Sequence, residues 1–365
     1  MSWTISRYRS GDVVEVRSKG EILATLDSSG CLDRLPFMPE MLQYCGQSFR
    51  VRAVAHKTCE TAQHTNQLRR IDATVHLVGL SCDGSAHGGC QAACSLFWKD
   101  SWLRPASEPA GVDGARQREG EGCTEARLRD LTEIPSDSEQ DPTYFCQATQ
   151  LFDASEQIEW WNLRQYILDV TTGNRPFGSV LSVLLLAVVR NTEYYVQNIR
   201  FIRGICWRFS EWLHRMLTGR GVPRLFHKVQ PCSRTPSGRL DLRPGEIVRV
   251  KSQADIETTL DKRGNNRGLS FDAREMAPFC GGIFRVRSCV TRIVDESTGK
   301  MRTMKEPCIM LEGVVCNAMY STCRLNCPRA IPCYWRELWL ERIEGESAHS
   351  NGEGEKTDLV AEGAR

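Results

Sequence analysis

The segment Gly11–Asp27, GDVVEVRSKGEILATLD, returns as Gly245–Asp261, GEIVRVKSQADIETTLD. The likeness continues. LPFMPEM at Leu35–Met41 answers LSFDAREM at Leu269–Met276. A Cys-Gly and then Phe-Arg-Val-Arg occur at Cys45 and Phe49, and again at Cys280 and Phe284. An apolar run ends in Cys82 and in Cys316, and both series close on an aromatic cluster, FWKDSWL to Leu103 and YWRELWL to Leu340. Order and spacing agree over about 95 residues. This is an internal duplication, so one small fold occurs twice in the chain.

Each copy reads as short strands. Val13–Val16 and Ile247–Val250 alternate apolar and polar residues, as half-buried strands do. Glu21–Leu26 and Asp255–Leu260 suit one or two helical turns. Phe49–Ala55, Ala73–Leu80 and Trp102–Arg104 supply further short strands. The expected class is mainly β with an α-helical middle. Its β parts are two homologous small SH3-like barrels, partly open, with OB-like barrels as the alternative.

The first barrel is placed at residues 1–104 and the second at 236–343. Residues 105–141 carry ten acidic and four basic side chains and few large apolar ones. They read as an acidic disordered linker. Residues 344–365, with six acids and two bases, read as a disordered acidic tail. The central segment, 142–235, carries amphipathic basic helices. Val196, Ile199, Ile202, Cys206, Phe209, Leu213 and Met216 recur in steps of three and four, with Arg200, Arg203, Arg208 and Arg215 on another face. Residues 193–217 could thus contact an anionic membrane surface. The alternative is a helix packed on a barrel with its basic face solvated.

Forty-seven basic against 45 acidic side chains leave a net charge of +2. No nucleic-acid partner is expected from so even a balance. No apolar stretch follows the first basic residues, which predicts a cytoplasmic chain with reduced thiols. The longest uncharged apolar run, Gly178–Val189, has 12 residues, against about 20 needed to span a bilayer.

Seventeen cysteines stand out against seven histidines. In such a compartment, clustered Cys point to metal or redox work. One proposed set is Cys59, Cys82, Cys90 and Cys94, with His87 as the substitute ligand. The second is Cys308, Cys316, Cys323 and Cys327. Four soft ligands on glycine-rich loops suit a structural Zn2+, which would add folding free energy to a small core. The competing reading is that these are ordinary buried thiols. Cys45 and Cys280 look like core or turn positions. Cys31, Cys123, Cys146, Cys206, Cys232, Cys289 and Cys333 show no neighbour pattern.

The usual catalytic signatures are absent from the sequence. His56, Cys59 and Glu60 are close in sequence, but residues three apart on a strand point to opposite faces. Glu40 and Glu275 occupy matching positions in the two repeats, where they either line equivalent grooves or cap local turns. Arg50 and Arg52, like Arg285 and Arg287, share one strand face, solvated or anion-binding.

The strings CDGSAHGGCQAACSLFWK (82–99), GLSFDAREMAPFCGG (268–282) and CPRAIPCYWRELWLERI (327–343) resemble a bacterial family of duplicated, Cys-rich, SH3-like proteins. The resemblance extends to CQAT at Cys146–Thr149. It implies a bacterial, intracellular protein, encoded beside polysaccharide or natural-product biosynthesis genes. It transfers no catalytic residue. Pro332-Cys333 departs from the family pattern, which makes Cys333 the weakest ligand candidate. Three functions follow as expectations. The first is a non-enzymatic interaction or scaffold protein with protein partners. The second is a metal-dependent or thiol-redox accessory enzyme. The third is a peripheral membrane adaptor.

Overall fold

Val14 and Val16 are fully buried, while Val13 is exposed and Glu15 half-buried. The alternation read from the sequence is thus the inward and outward sides of a strand. Each such buried valine contributes roughly 1.5–3 kcal/mol relative to exposure. A computed structural model describes residues 3–62, 67–107, 123–134, 142–193, 200–219, 221, 232–320 and 324–343.

In the first repeat the strands are β1 (Val13–Val16), β2 (Ser48–Val54), β3 (Lys57–Cys59), β4 (Leu68–Arg70), β5 (Thr74–Leu77), β6 (Trp98–Lys99) and β7 (Leu103–Pro105). Strand β8 (Glu156–Ile158) follows. The middle contains α1 (Leu163–Thr171), α2 (Phe177–Glu193) and α3 (Arg200–Thr218). The second repeat supplies β9 (Ile247–Val250), β10 (Ile283–Val294), β11 (Met301–Val315), β12 (Pro332–Trp335) and β13 (Leu340–Arg342).

The duplication is also one of register. The first repeat forms an antiparallel sheet in the order β6-β5-β2-β1-β7, and the second one in the order β12-β11-β10-β9-β13. Val14 pairs with Phe49 as Val248 pairs with Phe284. Val16 pairs with Leu103 as Val250 pairs with Leu340. Val51 pairs with Leu77 and Val286 with Leu311, and both ladders slip just after that pair. The cores repeat too. Trp102 Nε1 donates to Thr25 Oγ1, and Trp339 Nε1 donates to Thr259 Oγ1. Phe37 and Phe271 each meet the matching tryptophan edge-on.

Neither sheet closes into a barrel among the described residues; the chain is mixed and sheet-rich, with antiparallel strands in both repeats and helices in the middle. The edges do approach each other. Five flat strands would separate the outer two by about 19 Å. Lys99 and Leu103 lie on those two edges, joined by one short turn that reaches at most about 14 Å. The sheet therefore curls, but no hydrogen-bonded pair joins β6 to β7.

Two parts of the middle differ from expectation. The acidic stretch read as a linker contains a helix, Glu125–Leu131, capped by Thr124, with Leu128 buried in the first core. An apolar side chain overrides the acidic composition there. In α3 the inward residues are Ser210 and His214, whereas Phe209 and Met216 are exposed and Leu213 half-buried. Val196 and Ile199 lie outside the described residues, as do the side chains of Ile202 and Cys206 and the whole tail 344–365.

The β3–β4 hairpin leaves the first sheet and pairs with β8 instead. It packs in a shared core with Ile158, Tyr166, Val183, Tyr320, Leu325 and Cys327. Its counterpart, the outer part of the β10–β11 hairpin, places Val294 against Cys90 and Tyr144 of the other half. The repeats therefore exchange hairpins. This exchange decides which cysteines meet.

Candidate metal centre

The loop Cys82–Cys90 is shaped by Gly84. Its φ is +72°, and a Cβ there would lie 1.9 Å from Cys90 O, so no larger residue fits. The N–H groups of His87 and Gly89 donate to Gly84 O, at 3.1 and 2.9 Å, while Cys82 N–H donates to Cys94 O at 2.8 Å. This folding turns the His87 ring back onto Cys82, with Nε2 3.4 Å from Sγ.

Glu40 arrives from the opposite side, on the 3-10 turn Pro39–Tyr44. Its Oε1 lies 3.4 Å from Cys82 Sγ and 3.9 Å from His87 Nδ1. Glu40 and His87 are buried and Cys82 nearly so. One ligand atom from each of the three lies within 4.8 Å of the others. This buried Glu/Cys/His cluster can hold a metal ion. Zinc bonds of about 2.0–2.3 Å at tetrahedral angles place neighbouring ligand atoms about 3.3–3.6 Å apart. The two contacts of the sulfur are at that spacing.

Two further observations fit a cation. Glu40 Oε2 is buried without a hydrogen-bond partner, as is His87 Nδ1; an ion held by the His87 Nε2 that faces Cys82 would meet the first and not the second. Such orphaned groups cost free energy unless something meets them. No lysine or arginine among the described residues pairs with Glu40. Burial raises the Glu40 carboxyl to about 7, pushes the Cys82 thiol far up and the His87 imidazole down. A divalent ion binding there would displace protons from the carboxyl and the thiol.

The three groups line a cavity of about 30 Å3, together with Cys90, Cys94 and Cys146. That is room for an ion and a water, and none for an organic substrate. Of the first proposed set, Cys82, His87, Cys90 and Cys94 thus share one cavity. Glu40 and Cys146 join them unforeseen. The signal for Glu40 was its match with Glu275 at the same repeat position. Cys146 carried no spacing signal, because it reaches the site from the central segment.

Cys59 is elsewhere. Its N–H donates to Cys327 Sγ at 3.2 Å, and its thiol hydrogen-bonds that of Cys327. Cys316 belongs to the same core. Burial alone would raise the Cys327 thiol. Hydrogen bonds from Cys59 and from the Arg329 backbone outweigh it and hold that thiol below its ordinary value. Cys308 stands apart from Cys316 and Cys327, in a cluster with Val290 and Met310 beside Arg336. Cys323 lies outside the described residues. The second proposed set is therefore not one group: Cys316 and Cys327 meet Cys59 rather than Cys308, because the β3–β4 hairpin crosses to the other repeat.

The chain matches no family model, no curated protein and no solved structure.

Proposed function

We propose that this chain is a non-enzymatic interaction or scaffold protein whose first repeat is stapled by a structural zinc ion. Glu40, Cys82 and His87 would hold the ion; Cys90, Cys94 and Cys146 line the same cavity without joining the group whose ligand atoms lie within 4.8 Å of one another. The carrying observation is that three mutually adjacent ligand groups, Glu40 and His87 buried and Cys82 partly so, line one small cavity. A mixed S, N, O set suits zinc, a borderline-soft ion that binds all three donors. Zinc also has a physical task here, since a small curled sheet buries a limited core. The alternative, a metal-dependent or thiol-redox accessory enzyme, needs substrate at the ligands; Glu40 also lines a wider cavity of about 770 Å3 with Asp83, Ser85 and Ala86, but Cys82 and His87 face only the small one. The test is metal content and chelator response of the purified full chain. Bound zinc, lost in Cys82→Ser and His87→Ala, with a lower Tm after chelation, is expected. A folded parent without zinc, and with a Tm unmoved by chelator, overturns the reading.

A second reading concerns how such a scaffold docks, and α3 favours it. Ile205, Phe209, Trp212 and Met216 are all more than half exposed and form one stripe at helical spacing. The opposite face is anchored by polar contacts, with His214 between Ser182 Oγ and Tyr320 OH at 3.2 Å each. The helix is therefore held with its apolar stripe outward. Exposed Arg208 and Arg215 flank the stripe, and α3 carries four arginines against one acid. The occupant that matches is an anionic membrane surface, which takes an apolar face rimmed by cations. No described helix is long and apolar enough to cross a membrane. The parent should co-sediment with phosphatidylglycerol vesicles more than with phosphatidylcholine vesicles, and Trp212→Glu should not. Equal sedimentation of parent and variant, or a dimer abolished by Trp212→Glu without vesicle binding, overturns it.

A further inference from the structure

The duplication allows the two acidic, thiol-bearing corners of the molecule to be superposed residue by residue. Cys82 and Cys316 each stand five residues past a paired leucine, Leu77 and Leu311. Cys90 and Cys327 each stand eight residues before the core tryptophans Trp98 and Trp335. The residue three before each of these cysteines is His87 in the first repeat and Arg324 in the second. Glu40 and Glu275 match as well. The counterpart of Glu40–Cys82–His87 is thus Glu275–Cys316–Arg324.

The geometry of the two corners is alike and the chemistry is not. His87 presents Nε2 3.4 Å from Cys82 Sγ and Nδ1 3.9 Å from Glu40 Oε1. Arg324 presents Nη1 3.7 Å from Cys316 Sγ and 3.9 Å from Glu275 Oε1. Its guanidinium also lies 3.3 Å from Asp272 Oδ2. The other Glu275 oxygen accepts the Ala318 N–H at 2.9 Å. The second corner contains its own permanent cation, seated against the carboxylate and the sulfur. In the first corner no arginine or lysine among the described residues pairs with Glu40 or Cys82; Arg329 lines the same cavity but is held by Glu296 at 2.7 Å.

We propose that the chain binds one divalent metal ion, at Glu40, Cys82 and His87 alone, and that the Arg324 guanidinium takes the metal's place in the second repeat. This rests on the metal reading of the first corner and adds the stoichiometry and its cause. A guanidinium stays charged in proteins, offers five donors and no lone pair, and cannot act as a ligand. It offsets the negative charge of the corner, although Glu275 Oε1 keeps no hydrogen bond, and repels a second cation. The assignment runs against a count of thiols. Cys59 and Cys327 lie beside Cys316, so the second corner is rich in sulfur, and only the arginine argues against metal there.

The experiment is zinc content per folded chain, measured on purified full-length protein. One equivalent is expected for the parent, one for Cys316→Ser and none for Cys82→Ser. Arg324→His should raise the content to two, since it supplies an imidazole at the position of His87 and removes the competing charge. Two equivalents in the parent, with one lost in Cys316→Ser, overturn the proposal while leaving the first site standing. An Arg324→His chain that folds and still holds one ion overturns the role of the guanidinium. A zinc-free parent overturns the metal reading itself.

Discussion

Cys59 N–H donates to Cys327 Sγ at 3.2 Å across the boundary between the repeats. The contact has a mirror image, in which Val294 N–H donates to Cys90 Sγ at 3.2 Å. Cys59 and Val294 are counterparts, five residues past Val54 and Cys289, and Cys90 and Cys327 are counterparts too. Each repeat thus lays a hairpin on the cysteine loop of the other. Cys327→Ala removes the sulfur acceptor and leaves the Cys59 N–H buried. The expected cost is about 1–3 kcal/mol. Urea unfolding followed by tryptophan fluorescence and by circular dichroism should move together to a lower midpoint. Two separated transitions, only one of them shifted, would contradict a shared boundary.

Gly84 and Gly79 both adopt positive φ, +72° and +77°, but their surroundings differ. A Cβ at Gly84 meets Cys90 O at 1.9 Å, while one at Gly79 meets nothing within 4 Å. Gly79→Ala should cost only backbone strain, about 1–2 kcal/mol. Gly84→Ala adds a clash with backbone that must move, so it should cost more and displace His87. Thermal melts and zinc content of the two variants check this. Equal effects would show that the loop is not held as described.

Lys57 and Asp169 are fully buried, with Nζ 2.6 Å from Oδ2. His56 Nε2 faces the other carboxylate oxygen at 3.3 Å. This pair ties the β3–β4 hairpin to α1. Lys57→Met leaves a buried carboxylate without its cation and should cost about 3–5 kcal/mol. Adding Asp169→Leu should restore much of that loss, because the remaining desolvation cost disappears. A double variant as unstable as the single one would refute the account.

Burial lowers the His214 imidazole from an ordinary value near 6.5 to about 4. The neutral ring is therefore the folded form. The stability it contributes is whole above pH 6.5 and is lost as pH falls toward 4. Because His214 anchors the inward face of α3, the protection of amides in residues 205–217, relative to intrinsic exchange at each pH, should fall as pH drops from 6.5 to 4. His214→Phe should flatten that dependence. An unchanged dependence in the variant would remove His214 as its cause.

The pairing register, Val14 with Phe49 and Val248 with Phe284, came from the fold. The sequence by itself determined the duplication and the strand alternation, which depend on local periodicity. It also held the His87–Arg324 correspondence, legible from the eight-residue step to Trp98 and Trp335. Only the tertiary structure decided which thiols meet. Cys59 is 268 residues from Cys327, and no spacing rule reports a hairpin that crosses to the other repeat. Glu40 was visible at a matched position, but the direction a side chain takes off a 3-10 turn depends on what packs above it. In α3, periodicity marked Cys206, Phe209, Leu213 and Met216 as one apolar face, whereas the exposed stripe is Ile205, Phe209, Trp212 and Met216. The bonds of His214 to Ser182 and Tyr320 decided that the stripe faces outward, since a buried polar side chain must find its partners wherever the fold supplies them.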